Sequence, residues 1–213
     1  MTEKCFWEDP YRTRLDTVIA SVDGNVVTLK QTIFFAFSGG QESDTGFIGG
    51  LPVQDAFMEG REIFYTMPPG HGLTPGSPVS VSIDWARRYR LMRLHFAAEV
   101  VLELLYARFN GMQRTGAHIA VNKARIDFVW PLSIAPLLPE IQAAAQAVID
   151  GNQPIISDYS DRATERRFWE VPGFAKVPCG GTHLRRTGEV GTIALKRKNP
   201  GRGMERVEIH LVD

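Results

Sequence analysis

An α+β fold preceded by an antiparallel β portion is the class this sequence predicts, and three observations predict it. Short apolar or alternating runs broken by turn residues fill positions 14–83. At Trp85 the apolar period lengthens from two to between three and four. Beyond Gly111 strand and helix patterns are mixed. The expected division is residues 1–84 and residues 85–213.

In the first part, Thr17–Val22 and Asn25–Leu29 read as strands, and Asp23-Gly24 between them is a hairpin signal. Further strands are expected at Arg61–Thr66 and, after the turn residues Pro75, Gly76 and Pro78, at Val79–Ile83. Strands about ten residues apart suggest a small antiparallel barrel or sandwich. From Trp85 to Asn110, residues Leu91, His95, Ala98, Leu102, Leu105 and Phe109 recur in steps of three and four. That is the buried stripe of an amphipathic helix, with Gly111 placed as its cap. A strand pair is expected at Ala117–Val121 and Ala124–Val129. A second helix should run over Ala135–Asp150, with Ile141, Ala144, Ala145 and Val148 inward and Gly151 as its stop. Pro154–Ser157 reads as a strand, the polar Asp158–Arg167 as a short helix and Phe168–Lys176 as a connector. Two strands close the chain, Gly191–Lys196 and Arg206–Val212, the latter alternating Val207, Ile209 and Leu211 against polar neighbours.

Over 213 residues, 44% hydrophobic and 23% charged composition is that of a folded globular chain. The start, Met1 to Asp9, carries charges where a secretion signal has an apolar core, and no apolar run reaches the ~18 residues a bilayer span needs. A cytoplasmic protein without membrane attachment is therefore expected. Its two cysteines, Cys5 and Cys179, have no reason to pair. The 24 basic and 24 acidic residues balance, but the basic ones cluster at Arg87, Arg88, Arg90 and Arg93, at Arg185 and Arg186, and at Lys196, Arg197, Lys198 and Arg202. Such clusters give either a local positive surface for a polyanion or ordinary solvated faces.

Chemistry concentrates in two spacings. His95-x-x-x-Glu99 on a helix projects both side chains from one face, so the pair can grip one ion. Cys179-Gly-Gly-Thr-His183 offers a thiolate and a second imidazole in a glycine turn, a donor mixture that suits tetrahedral zinc. Without a metal, Glu99 would turn to solvent and His95 would bond a carbonyl. A second glycine loop, Ser38-Gly-Gly-Gln41-Glu-Ser-Asp44-Thr-Gly46, lacks the following helix of a phosphate loop and reads otherwise as a wide turn. His71, His118 and His210 are read as structural or surface histidines.

Taken in order, Phe37–Gly46, Asp84 to His95, Lys123-Ala-Arg125 with Asp127-Phe128, Pro178-Cys-Gly-Gly-Thr-His183, Thr187-Gly-Glu-Val-Gly191, and Gly201-Arg-Gly203 with Arg206-Val-Glu208 resemble the AlaX-type alanyl-tRNA editing proteins, freestanding relatives of the editing domain of alanyl-tRNA synthetase. The resemblance covers nearly the whole chain. It implies an N-terminal small antiparallel β-barrel (1–84) followed by the α+β editing domain shared by alanyl- and threonyl-tRNA synthetases (85–213). It also implies hydrolysis of mischarged tRNA-Ala, chiefly the seryl or glycyl ester, with zinc at the active site.

Carried over residue by residue, His95, Cys179 and His183 match the family's metal ligands, and Glu99 stands where a second helix histidine is expected. Glu99 is then an oxygen ligand or a general base beside a three-ligand zinc, or it marks loss of the metal. The family's Gly-Gly-Gly-Gln loop maps to Ser38, Gly39, Gly40 and Gln41 with one glycine lost. The implied catalytic residues are Gln41, Glu99 and Thr182. The implied substrate-binding residues are Gly39, Gly40, Gln41, Arg93, Gly180 and Gly181, with backbone donors of the glycine loops facing the oxyanion and Gln41 testing the amino acid by hydrogen bonding. Two rival functions are a tRNA-binding protein of the same fold without catalysis and a zinc hydrolase of a small molecule. Monomer and homodimer are both compatible with the sequence.

Overall fold

The computed structural model of the chain describes residues 1–109 and 111–212; Asn110, expected at the end of the long helix, lies outside the described residues. The fold mixes strands and helices, with strands predominating. The chain falls into two compact units, one of residues 1–38 and 42–89, the other of residues 39–41 and 90–213.

The first unit contains nine strands: β1 (Glu3–Lys4), β2 (Arg14–Asp23), β3 (Val26–Leu29), β4 (Gln31–Thr32), β5 (Gly46–Ile48), β6 (Leu51–Pro52), β7 (Asp55–Glu59), β8 (Glu62–Thr66) and β9 (Pro78–Ile83). Seven of them form one antiparallel sheet in the order β6-β5-β9-β2-β3-β8-β7, while β1 and β4 pair in parallel. The hairpin read at Asp23-Gly24 is present, with Asp23 paired to Val26. Alternation along β2 buries Leu15, Thr17 and Ile19, and Leu15 and Ile19 join Val27, Leu29, Ile63 and Val81 in the core. The pairing order runs from edge strand to edge strand, so it describes an antiparallel sheet; the ring closure of a barrel is not among the pairings of the described residues.

Also in this unit, Arg88 is fully buried. Its Nε donates to Asp44 Oδ1 at 2.8 Å and its Nη2 to Asp44 Oδ2, while further N–H groups reach Pro10 O and Ile33 O. Asp44 Oδ2 also accepts from Phe35 N at 2.7 Å. A buried ion pair persists only when its remaining hydrogen-bonding groups are satisfied, as they are here.

Helix α1 runs from Trp85 to Arg108. The expected stripe of Leu91, His95, Ala98, Leu102 and Leu105 is buried, and so are Met92, Leu94, Phe96, Ala97, Val100 and Val101 on the other sides. Apolar residues at every angle of the helix make it a buried rod rather than a surface amphipath.

The second unit continues with β10 (Gln113–Ile119), β11 (Ala124–Val129), α2 (Leu138–Asp150), β12 (Ile156–Asp161), β13 (Arg166–Val171), β14 (Ala175–Pro178), β15 (Ile193–Gly201) and β16 (Met204–Leu211). A four-stranded antiparallel sheet has the order β10-β11-β16-β15. One face of it buries Ile126, Phe128, Ile193, Val207 and Ile209. Pro139 opens α2, where a missing N–H costs nothing, and Ile141, Ala145 and Ile149 are its buried side. Gln142 and Gln146 of α2 accept from Leu195 N and Ile193 N, satisfying donors of the edge strand β15.

Two expectations fail in this unit. Asp158–Arg167 is not a short helix and Phe168–Lys176 is not a connector: both belong to a three-stranded sheet, β12-β13-β14. Burial of Arg167, Trp169 and Val171 alternates with more exposed neighbours, the period of a strand. No described helix is long and apolar enough to cross a membrane.

Candidate metal centre

Helix α1 and the loop after β14 bring four donors together in the second unit. His95, Glu99, Cys179 and His183 each present one ligand atom, and these atoms lie within 4.8 Å of one another. The helix supplies His95 and Glu99 one turn apart; their Nε2 and Oε1 are 3.5 Å apart. The loop supplies Cys179, whose Sγ stands 3.6 Å from His95 Nε2, and His183, whose Nε2 stands 3.2 Å from Glu99 Oε2.

These spacings fit a metal. With zinc–nitrogen and zinc–oxygen lengths of about 2.0 Å and zinc–sulfur of about 2.3 Å, a tetrahedral shell separates neighbouring donors by roughly 3.3–3.8 Å. The mixture of imidazole, thiolate and carboxylate is also a zinc set. His95 and His183 are buried, at 6% and 5% exposure, so their polar atoms must be answered by protein groups rather than bulk water. His95 Nδ1 is buried without a hydrogen-bond partner, which leaves Nε2 as the nitrogen offered to the cluster.

Electrostatics couples the four groups. Burial opposes protonation of His95, but the Glu99 carboxylate and the Cys179 sulfur outweigh it and raise its pKa well above that of an ordinary imidazole. His183 is likewise lowered by burial and raised more by Cys179 and Glu99. Burial pushes Glu99 up, and the two histidines override this and hold it well below the usual carboxylate range. For Cys179, burial and the Glu99 charge act upward, and the histidines prevail and lower the thiol. Without metal, these interactions favour protons on the imidazoles.

The glycine loops are shaped by close approach. A Cβ built on Gly181 would fall 2.1 Å from His95 Cε1 and 2.6 Å from Nδ1, so only glycine lets the imidazole lie against the loop backbone. Gly40, with φ near +90°, has its Cα side facing Ala117 O, where a Cβ would fall at 2.6 Å. Its carbonyl accepts from Ile119 N at 2.7 Å, and the neighbouring Gln41 bridges to Ile119. Gln41 is thereby fixed at 1% exposure, its Nε2 donating to Thr182 Oγ1 at 2.9 Å and its Oε1 accepting from Thr182 N at 3.4 Å.

Of the residues singled out from sequence, His95, Glu99, Cys179, Gly181 and His183 meet in the cluster, and Gln41 and Thr182 join it through their mutual bonds and Gly181. Gly39 and Gly180 are exposed. Arg93 donates from Nε to Val190 O at 2.9 Å, bracing the segment after the ligand loop. Two of the loop amides expected to face an oxyanion are committed otherwise: Gly181 N lies 3.4 Å from Cys179 Sγ, and Thr182 N serves Gln41. His71, His118 and His210 stand outside the cluster.

The chain is similar to known proteins over nearly its whole length. Residues 167–208 match the family described as the threonyl and alanyl tRNA synthetase second additional domain. The alanyl-tRNA editing protein AlaX-M of Pyrococcus horikoshii is 30% identical, over 99% of this chain and 98% of its own length. AlaX-M of Saccharolobus solfataricus is 31% identical over 97% and 98%. The alanine–tRNA ligase of Staphylothermus marinus is 30% identical over 91% of this chain, which spans 24% of that enzyme.

Proposed function

The chain belongs to the AlaX family of alanyl-tRNA editing proteins, and from that membership we propose that it hydrolyses the ester of mischarged tRNA-Ala in trans, releasing serine or glycine. The observation that carries the proposal is the convergence of His95, Glu99, Cys179 and His183 beside the buried Gln41–Thr182 pair.

His95, Glu99, Cys179 and His183 would hold zinc. When bound, the ion supplies Lewis-acid polarisation of the ester or orientation of the terminal ribose. Glu99 enters as the fourth donor rather than as a free base, since its two oxygens are directed at His95 and His183 respectively. Gly181 N–H steadies the Cys179 sulfur, and the imidazoles reach their ligating form only by giving up a proton. Gln41 Nε2 keeps a second N–H after serving Thr182, and the Thr182 hydroxyl, having accepted that bond, keeps its proton to donate. Both are suited to test the substrate's side chain, because a hydrogen-bonding site discriminates a hydroxyl better than shape does. The clusters at Arg185 and Arg186 and at Lys196 and Lys198 suit tRNA phosphates, and binding through them falls with salt.

The test is deacylation of seryl-, glycyl- and alanyl-tRNA-Ala with and without a chelator. Release of serine or glycine, sparing of alanine and loss of release on chelation are expected. Binding of the tRNA with no ester release would replace the hydrolase with a binding protein.

A further inference from the structure

The three-stranded sheet that the sequence did not reveal places an arginine next to Cys179, one of the four candidate metal donors. Arg167 on β13 is 6% exposed, and its carbonyl accepts from Cys179 N at 3.0 Å, so its backbone is tied to a donor residue of the cluster. Across the β12–β13 pairing it is opposite Tyr159, and its guanidinium lies 4.3 Å from the centre of that ring. The stack orients the guanidinium. A cleft of about 590 Å³, lined by Ser160, Glu165, Arg166, Arg167, Cys179 and Gly180 among others, opens at this point. That volume lies within the range that holds a nucleotide-sized ligand.

Resting on the hydrolase reading above, we propose that Arg167 is a substrate-binding residue in a nucleotide subsite beside the metal centre, and that its ligand is the last phosphodiester of the tRNA 3′ end. The amino acid to be removed is esterified to the terminal ribose, and the nearest formal charge on the RNA is the phosphate one ribose away. One cleft lined by both Cys179 and Arg167 can take the ester end and that phosphate together. A guanidinium presents its N–H donors as a rigid fork that matches a phosphate, and burial strengthens the match by removing competing water. Arg166, exposed on the same strand, adds charge at the mouth of the cleft. The ring of Tyr159 holds the fork in place.

The probe is an uncharged acceptor-stem hairpin ending in CCA, made with either a phosphodiester or a neutral methylphosphonate at its last linkage, with binding read by fluorescence anisotropy. Wild type should bind the methylphosphonate about ten-fold more weakly, the loss of one charge-assisted contact. Arg167→Gln should bind both hairpins equally. Arg167→Lys should keep part of the difference, having the charge without the fork. The ratio is taken within each protein, so partial unfolding of a variant does not alter it. A wild-type ratio near one, or the same ratio in wild type and Arg167→Gln, overturns the subsite. Failure of the hydrolase reading is seen separately, as wild-type protein that shows the ratio but releases no amino acid from mischarged tRNA-Ala.

Discussion

The side-chain amide of Gln41 and the hydroxyl of Thr182 meet at 2.9 Å, buried, although 141 positions separate them in the chain. Thr182→Val keeps the shape and removes the hydroxyl, leaving a buried amide hydrogen without its acceptor, at a cost of about 1–3 kcal/mol. Melting should register that loss, and deacylation of seryl-tRNA-Ala should fall while zinc content stays the same. Unchanged activity at unchanged zinc content would show that the pair has no part in turnover.

Glu99 is expected to be a ligand. Zinc measured in purified protein should approach one ion per chain for wild type. Glu99→Ala should weaken zinc affinity by at least about ten-fold, since a four-donor site becomes a three-donor one. Equal affinity in wild type and variant removes Glu99 from the ligand set and returns it to the role of base.

Gly181→Ala puts a methyl into the ring of His95. Displacing a buried imidazole typically costs about 1–3 kcal/mol in packing, and here it also moves a donor. Reduced zinc occupancy together with a lower melting temperature is the expected pair of results. Native occupancy would mean that the loop shifts instead of the ring.

The histidines set the pH dependence. Their folded-state pKa values are raised, so in metal-free protein they contribute stability that is present below the unfolded value and is lost as pH rises through the folded one. Zinc requires neutral imidazoles, so binding near neutral pH should release protons and weaken as the solution is made more acidic. Calorimetric titration in two buffers of different ionisation enthalpy measures the release. Identical heats in both would show the imidazoles already neutral.

Asp44→Ala leaves Arg88 buried without its carboxylate. Removing one partner of a buried pair costs about 3–5 kcal/mol, far more than the ordinary surface substitution. Chemical denaturation should show that loss, and Asp44→Asn should recover part of it by keeping the acceptor oxygen for Phe35 N.

Much of the candidate metal centre was legible because its donors come as local pairs. A four-residue step on a helix dictates that His95 and Glu99 share a face, and a glycine turn brings Cys179 back toward His183. The hairpin at Asp23-Gly24 was legible for the same reason, being encoded by adjacent residues. The stripe on α1 was overdrawn: periodicity picks out one buried side but cannot say that the other side is buried as well, and Val100 and Val101 already break it. The sheet of β12, β13 and β14 was hidden because charged residues such as Asp158, Asp161 and Arg166 mask the alternation of Arg167, Trp169 and Val171. The Gln41–Thr182 bond could not be read at all, since nothing local couples two loops so far apart.

Residues 39–41 belong to the compact unit of residues 90–213, while their neighbours on either side in the chain belong to the other. No single cut of the chain can therefore isolate the functional unit intact. A fragment beginning at Arg90 would keep His95, Glu99, Cys179 and His183 and forfeit Gln41, whose amide donates to Thr182. For anyone shortening or grafting this protein, the three-residue excursion is the constraint that decides where its edges lie.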